Sequence, residues 1–187
     1  MVSVVDVDKL PSGFPTHRQE PGFWEWLGRT VATYGFLEEV LGKAIFSFSA
    51  TTPYPKEEIE AAHAAWLPKL ERALSDPLGN LIDGYIKGVR DHPEATTTNL
   101  CDLEEDLKKS AVIRNVLCHG SWRLPDESGA SKLLFVNRKM ELFDSTVDVH
   151  FLKQTQRHVA ELACAVGSLS IPRHLATCST NKWPVIP

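Results

Sequence analysis

An arginine and a histidine stand five positions apart, Arg114 and His119, within an otherwise apolar stretch from Ala111 to Trp122. Arginine is seldom fully buried unless an anion pairs with it, so its place here predicts either an acidic partner in the protein or an anionic ligand. Asn115 follows the arginine directly and adds an amide that both donates and accepts hydrogen bonds. Together these three residue types suit the handling of a phosphate group.

The chemistry that this set favours is cleavage of RNA without a metal ion. That reaction needs a proton taken from the ribose 2′-OH, a proton given to the departing 5′ oxygen, and stabilisation of the negative charge around phosphorus. Histidine, with a reference pKa of about 6.5, exchanges protons near neutral pH. Arginine is always charged and binds two phosphate oxygens at once. As a hypothesis, His119 transfers protons, Arg114 holds the phosphate, and Asn115 orients phosphate or ribose.

A helix from about Leu100 to His119 is predicted to carry these residues, with Arg114 on its apolar stripe. Near its end, apolar residues on almost every side predict burial of most of the circumference: Val112, Ile113, Val116, Leu117 and Cys118. Gly120 is expected to end the helix in a left-handed backbone conformation.

Helix geometry sets a further condition on the pair. Residues five positions apart are rotated by about 140° and separated by about 7.5 Å along the axis, so Arg114 and His119 of one chain point apart. A two-fold dimer that joins two such helix ends would set both pairs around one cleft, and isologous dimers are the commonest oligomers. We therefore expect a homodimer with a composite site.

The remaining sequence predicts an all-α fold, an up-and-down bundle of four to five helices with a short β-hairpin or extended excursion before the last helix. Besides the central helix, the predicted helices run from Pro21 to about Phe48, from Pro55 with a kink at Pro68, from Pro77 to Arg90, and from a cap at Ser145 or Thr146 to before Pro172. Residues 133–136 and 140–143 are the predicted strands. Residues 1–20 are expected to form a flexible arm, 21–173 a single helical domain, and 174–187 a C-terminal tail.

Composition narrows the class of protein. Of 187 residues, 43% are hydrophobic and 24% charged, which is typical of globular proteins. There is no secretory signal and no apolar run near the roughly 18 residues of a membrane-spanning helix, so we expect no membrane partner. Four widely spaced cysteines without a CxxC pair indicate reduced thiols in a cytoplasmic protein. The net charge of −4 argues against bulk nucleic-acid binding, yet nine lysines and arginines outnumber five acidic residues between Lys108 and Arg157.

The segment Arg114-Asn115-Val116-Leu117-Cys118-His119, near the end of a late helix and followed by Gly120, resembles the Arg, polar residue, x3, His signature of the HEPN superfamily. Members are small helical bundles, many of them metal-independent ribonucleases. The resemblance implies an endoribonuclease that acts as a homodimer on RNA, with no metal and no cofactor and with Arg114, Asn115 and His119 as catalytic residues. Toxin, defence and RNA-processing roles all remain open.

Three further residues are candidates for substrate binding because they lie close to the motif in sequence. Lys109 and Arg123 are expected to hold flanking phosphates, and Trp122 to stack on a base.

Simpler interpretations stand beside the catalytic one. In one interpretation, Arg114 pairs with Glu38, Glu39 or Asp83 of its own chain. In another, His119 complements the helix dipole. Asn115 is then a polar residue at the edge of the core, and the tryptophans are core anchors. At the level of the whole protein, the alternatives are a non-catalytic module that binds a nucleotide, RNA or a partner protein, and a purely structural helical protein.

Overall fold

The computed structural model describes residues 6–52, 55–65, 68, 76–92, 99–137 and 140–168, and the chain is mostly helical there. The long helices are α1 (Pro21–Thr51), α2 (Leu78–Asp91), α3 (Leu100–His119) and α4 (Val149–Gly167). Shorter 3₁₀ turns occupy Val7–Lys9 and Lys56–Glu58, and residues 59–65 are helical after the second of them. A helical fold with a small β excursion confirms the predicted class.

By contacts, the chain falls into two compact units, which we describe separately. The first combines the described part of Met1–Tyr34 with that of Val112–Val159, and the second combines the described parts of Gly35–Ala111 and Ala160–Pro187. The division falls inside helices, so residues 21–34 of α1 belong to the first unit and residues 35–51 to the second.

In the second unit, α1 packs closely on α2 at two glycines of α2. A Cβ on Gly84 would lie 3.3 Å from Ile45 Cδ1, and one on Gly88 would lie 3.2 Å from Phe48 Cδ2. The glycines therefore allow the two helices to approach, which offsets their poor helix propensity. The α2 core residues are Leu78, Leu81, Ile82, Tyr85, Ile86 and Val89.

The first unit is held together by a polar contact as well as by its apolar core. Thr30 is fully buried on α1, with its Oγ1 2.8 Å from the Trp26 carbonyl oxygen and 3.1 Å from that of Leu152 on α4. The hydroxyl thus finds partners within its own helix and on the neighbouring one, as a buried donor requires. The buried apolar residues of this unit include Phe23, Tyr34, Val116, Leu117, Leu133, Val147, Leu152 and Val159.

The β excursion is larger than the two-stranded hairpin that the sequence predicted. Its strands β1 (Ser121–Trp122), β2 (Ser131–Leu134) and β3 (Thr146–Val147) form an antiparallel sheet in that order. Ser121 pairs with Leu134 and Lys132 with Thr146. The expected pairing of the two apolar runs survives as a bridge between Val136 and Leu142. The prediction missed β1, which begins one residue after Gly120, and β3, which lies where a helix cap was expected.

Two helix ends differ from the prediction. The helix α1 continues past Phe48 to Thr51, and the Thr52 side chain then donates to the Phe48 carbonyl oxygen at 2.8 Å. The last helix is not capped by Ser145 or Thr146, because Thr146 pairs within the sheet. Asp148 caps it instead, with its Oδ1 accepting from the Phe151 N–H at 2.7 Å.

The central helix and α2 lie where the sequence placed them, at Leu100–His119 and Leu78–Asp91. Residues 69–75, which follow the expected kink at Pro68, and the tail at 174–187 lie outside the described residues. No helix in the described ranges is both long and apolar enough to cross a bilayer.

Candidate functional site

The motif residues occupy the last two turns of α3, which is continuous through His119. Asn115 and His119 are one turn apart on the same face and both are exposed. Arg114 is half-buried, and its Nη1 donates to Asn115 Oδ1 at 3.4 Å. The helix thus presents an amide and an imidazole to solvent, with the guanidinium in contact with the amide.

The end of α3 is less buried than the apolar sequence suggested. Val116 and Leu117 are buried as expected, but Val112 is 53% exposed and Cys118 is also exposed. The prediction of burial on most of the circumference is therefore wrong. Val112, Asn115 and His119 share the open face of the helix, which leaves the motif accessible to a ligand.

Gly120 also has a different role from the one predicted. Its backbone is not among the positive-φ glycines of the described chain, which are Gly13 and Gly129. Its N–H donates to the Val116 carbonyl oxygen at 2.8 Å, which continues the helical pattern, and the side chain of Leu133 packs against it. The left-handed helix end is thus a wrong prediction, and the glycine is needed because β2 approaches the end of α3.

Two of the three carboxylates considered as partners of Arg114 interact with lysines. Glu39 forms an ion pair with Lys43, and Asp83 lies 3.6 Å from Lys108 Nζ. The side chains of Lys43, Glu39 and Asp83 are each more than half exposed to solvent.

Lys109, proposed for a flanking phosphate, belongs to the second unit. Its Nζ lies 2.7 Å from Glu105 Oε1, and the hydrogen bond from this ammonium lowers the pKa of Glu105. The same bond raises the pKa of Lys109. Both side chains are 66% exposed, so the pair is of a weak, solvent-screened kind.

Trp122 and Arg123 line a groove in the first unit that begins at Gly120, directly after His119. The groove has a volume of about 340 Å³. It lies between the N-terminal arm, here residues 15–19, and the segment around β1. Its lining residues are Pro15, Thr16, Arg18, Gln19, Trp24, Gly120, Ser121, Trp122, Arg123, Leu124 and Pro125.

The tryptophans of this groove also anchor the core. The half-buried Trp122 meets Phe23 edge-on, with ring centroids 5.1 Å apart, and Trp24 at 6.0 Å. Trp24 is half-buried too, and its Nε1 donates to the Thr16 carbonyl oxygen at 3.1 Å. Both rings therefore pack against the core and line the groove at the same time.

Sequence reasoning missed the groove residues supplied by the arm and by the first turn of α1, namely Arg18, Gln19 and Trp24. Gln19 Nε2 donates to Ser131 Oγ at 2.8 Å and to the Gly129 carbonyl oxygen at 3.1 Å, which ties the arm to the β2 loop. The arm shows no period, so nothing in the sequence pointed to this contact. Its predicted flexibility stays a prediction.

Within the described residues, no group of three or more His, Cys, Asp and Glu side chains is placed to hold a metal ion. No protein-family model, curated protein or solved structure matches this chain. The resemblance to the HEPN superfamily therefore stays a prediction, and the functional argument rests on the residues and the geometry above.

Proposed function

We propose that this protein is a HEPN-type, metal-independent endoribonuclease that acts in the cytoplasm as a homodimer of up-and-down helical bundles. The observation that carries the proposal is the open face of α3, where Asn115 and His119 lie one turn apart, followed in the chain by a groove that begins at Gly120 and is lined by Trp122 and Arg123. A general base, a hydrogen-bonding amide, a cation and an aromatic ring are the groups that RNA cleavage uses.

In this proposal, the imidazole of His119 takes the proton of a ribose 2′-OH, and the 2′ oxygen attacks the adjacent phosphorus. The bond to the 5′ oxygen breaks, a second protonated imidazole gives that oxygen its proton, and the products are a 2′,3′-cyclic phosphate and a 5′-OH. Arg114 stabilises the charge on the non-bridging oxygens through its fork of N–H groups. The reaction needs neither a redox step nor a metal ion.

The contact between Arg114 and Asn115 supports these roles. At 3.4 Å it is at the long end of hydrogen-bond distances. A charged acceptor forms a shorter and stronger bond than an amide oxygen does. Once phosphate replaces the amide oxygen, Asn115 is released to hydrogen-bond to the phosphate or to the ribose.

The continuity of α3 through His119 supports the proposal of a homodimer. Because Arg114 and His119 leave the helix in directions about 140° apart, one chain offers only part of the required set. Two chains related by a two-fold axis supply the second imidazole that the leaving oxygen needs. Sedimentation equilibrium should give a dimer at assay concentration, and a monomer that cuts RNA would contradict the composite site.

Lys109 and Arg123 hold flanking phosphates in this proposal, and Trp122 stacks on a base. The exposed ion pair of Lys109 with Glu105 does not prevent this, since such a pair contributes little and phosphate displaces it.

The same groove also supports a second candidate, a module that binds RNA or a nucleotide without cutting it. The feature that favours it is the pair of arginines in the groove, because phosphate binding needs them whether or not cleavage follows.

The two candidates are separated by incubating full-length protein with mixed-sequence RNA in excess EDTA. The nuclease produces fragments ending in 2′,3′-cyclic phosphate, and His119→Ala lowers the rate by about 10²- to 10⁴-fold. His150→Ala is the matched control, because His150 is an exposed histidine in the first turn of α4. Equal cutting by wild type and His119→Ala would refute the assignment. No cutting, with phosphate ligands raising the Tm of wild type and not of Arg114→Ala, would establish the binding module.

A further inference from the structure

We infer that the groove between the N-terminal arm and β1 binds one unpaired nucleotide of RNA, with its base on the indole wall of Trp24 and Trp122 and its phosphates at Arg18 and Arg123. The inference rests on the proposed function, because it defines the strand state of the RNA at the same site. It also gives the arm a role in recognising the substrate.

Charge is the first argument. The lining contains Arg18 and Arg123 and, among these described residues, no aspartate or glutamate. Both arginines are exposed, and no carboxylate within the described ranges forms an ion pair with either. In a chain with a net charge of −4, such a concentration of unneutralised positive charge favours an anionic ligand. The phosphodiester backbone of RNA has this charge.

Size and shape select an unpaired nucleotide over a duplex. The volume of about 340 Å³ is at the lower end of the range of small-ligand sites, which is roughly 300 to 1,000 Å³. In an A-form duplex the bases are stacked inside the helix, so none reaches a recess of this kind. An unstacked base presents its whole face to an aromatic side chain, and such stacking tolerates any base.

The walls of the groove are held in place by contacts within the protein. The Trp24 indole is oriented by its 3.1 Å hydrogen bond to Thr16, and Trp122 by its edge-on packing against Phe23. The arm is tied to β2 by the 2.8 Å bond from Gln19 to Ser131. A ligand that enters a site ordered in this way loses little affinity to the ordering of side chains.

The groove also has the right position along the chain. Gly120 is part of its lining and follows His119, the last residue of α3, directly in the chain. A nucleotide in the groove would therefore be a near neighbour of the phosphate that is cut. The consequence is a nuclease that selects single-stranded RNA or loops.

The test measures binding in the full-length His119→Ala protein, in which the proposed cleavage is removed. A short fluorescent RNA of mixed sequence is titrated by anisotropy, first alone and then annealed to its complement. We expect the single strand to bind at least about tenfold more tightly than the duplex, because stacking on the groove wall is available to unpaired bases alone. Equal affinity for the two forms would overturn the inference.

Arg18→Ala in this background tests the role of the arm. It should weaken binding of the single strand and reduce the slope of log K against log salt concentration by about 0.7, the value for one phosphate contact on a single strand. Arg29→Ala is the matched control, since Arg29 is an exposed arginine of α1 paired with Glu25 and outside the groove lining. Equal effects of the two substitutions would mean that the groove is not the site.

Substitutions of the wall test stacking. Trp24→Leu should weaken binding roughly five- to a hundredfold, and Trp24→Phe should restore much of the loss because it keeps an aromatic face. Trp26→Leu is the control, because Trp26 lies outside the groove lining and has the Lys153 ammonium 4.8 Å from its ring centroid. Circular dichroism confirms folding, and if Trp24→Leu does not fold, the arginine variants decide.

The outcomes separate this inference from the proposed function. Binding with the expected pattern in a protein that never cuts RNA would leave the groove correct and the nuclease wrong. Cleavage that depends on His119, with binding insensitive to Arg18 and Trp24, would leave the nuclease correct and the groove wrong.

Discussion

The side chain of Leu133 packs so closely on Gly120 that a Cβ atom added to this glycine would lie 2.6 Å from Leu133 Cδ2. It would also lie 2.6 Å from the Val116 carbonyl oxygen, which is part of the helix backbone and cannot turn away as a side chain can. The pair therefore fixes how β2 sits against the end of α3. Because Trp122 pairs with Leu133 across β1 and β2, the same contact positions one wall of the groove.

Gly120→Ala should lower the free energy of unfolding by about 1–3 kcal/mol, the usual cost of forcing extra atoms into a packed site. Urea denaturation followed by circular dichroism measures the effect. Gly28→Ala is the control, because nothing lies within 4 Å of a Cβ at this position in α1. It should raise stability by about 0.4–1 kcal/mol. A Gly120→Ala protein at least as stable as wild type would show that Leu133 and the helix end move aside more easily than their packing suggests.

Arg114→Lys should reduce kcat/KM for RNA about tenfold or more, although the charge is kept. A lysine ammonium is a point charge and lacks the planar fork that binds two phosphate oxygens together. The same exchange at Arg29, which forms an exposed ion pair with Glu25, should leave the rate unchanged. Full activity of Arg114→Lys would mean that a simple positive charge suffices and that the bidentate role is wrong.

The helices could be predicted from the sequence because their apolar residues recur with the helical period over long segments. The ends were harder to predict, since single side chains decide them. Thr52 lets α1 continue past Phe48, and Asp148 starts α4 at a point where Ser145 and Thr146 looked equally good as caps. Thr146 does not cap the helix because it pairs within the sheet.

The candidate site could be proposed from the sequence in part. Arg114, Asn115 and His119 could be proposed because their types and spacing carry the signal locally. The groove could not, because its walls meet through contacts between distant parts of the chain. Gln19 binds Ser131, which is 112 positions away, and β1 has two residues, too few to show an alternating pattern. The surface position of Val112 was missed for a related reason, since an apolar side chain on an open helix face looks like a core residue.

Asp126 should give the loop before β2 an acid sensitivity. Its carboxylate accepts from Ser128 Oγ at 2.7 Å and from the Ala130 N–H at 3.0 Å, and these bonds hold its pKa below the ordinary value. Since the folded pKa is the lower one, this stabilisation is complete above the unfolded pKa and is lost as the pH falls through the folded pKa.

An NMR titration of Asp126 should therefore show a lower pKa in the folded protein than in an unfolded peptide. Asp126→Asn should destabilise the protein at neutral pH and less so in acid. Asp144, which is 93% exposed in the same excursion, is the control, and Asp144→Asn should have little effect at either pH. An Asp126 pKa at or above the peptide value would contradict the loop geometry.

Tyr85→Phe should stabilise the protein, by about 1 kcal/mol, because it removes a buried hydroxyl that has no hydrogen-bond partner within the described residues. Burial also raises the pKa of Tyr85 to about 12. In the unfolded chain, the Tyr85 hydroxyl ionises near pH 10. Wild type should therefore lose stability as the pH rises from about 10 towards 12, because the unfolded state loses this proton first, and Tyr85→Phe should lack this loss. Thermal melts across this range measure both effects, with Tyr34→Phe as the matched substitution at another buried tyrosine. A Tyr85→Phe protein less stable than wild type at neutral pH would show that the hydroxyl has a partner, such as a bound water molecule.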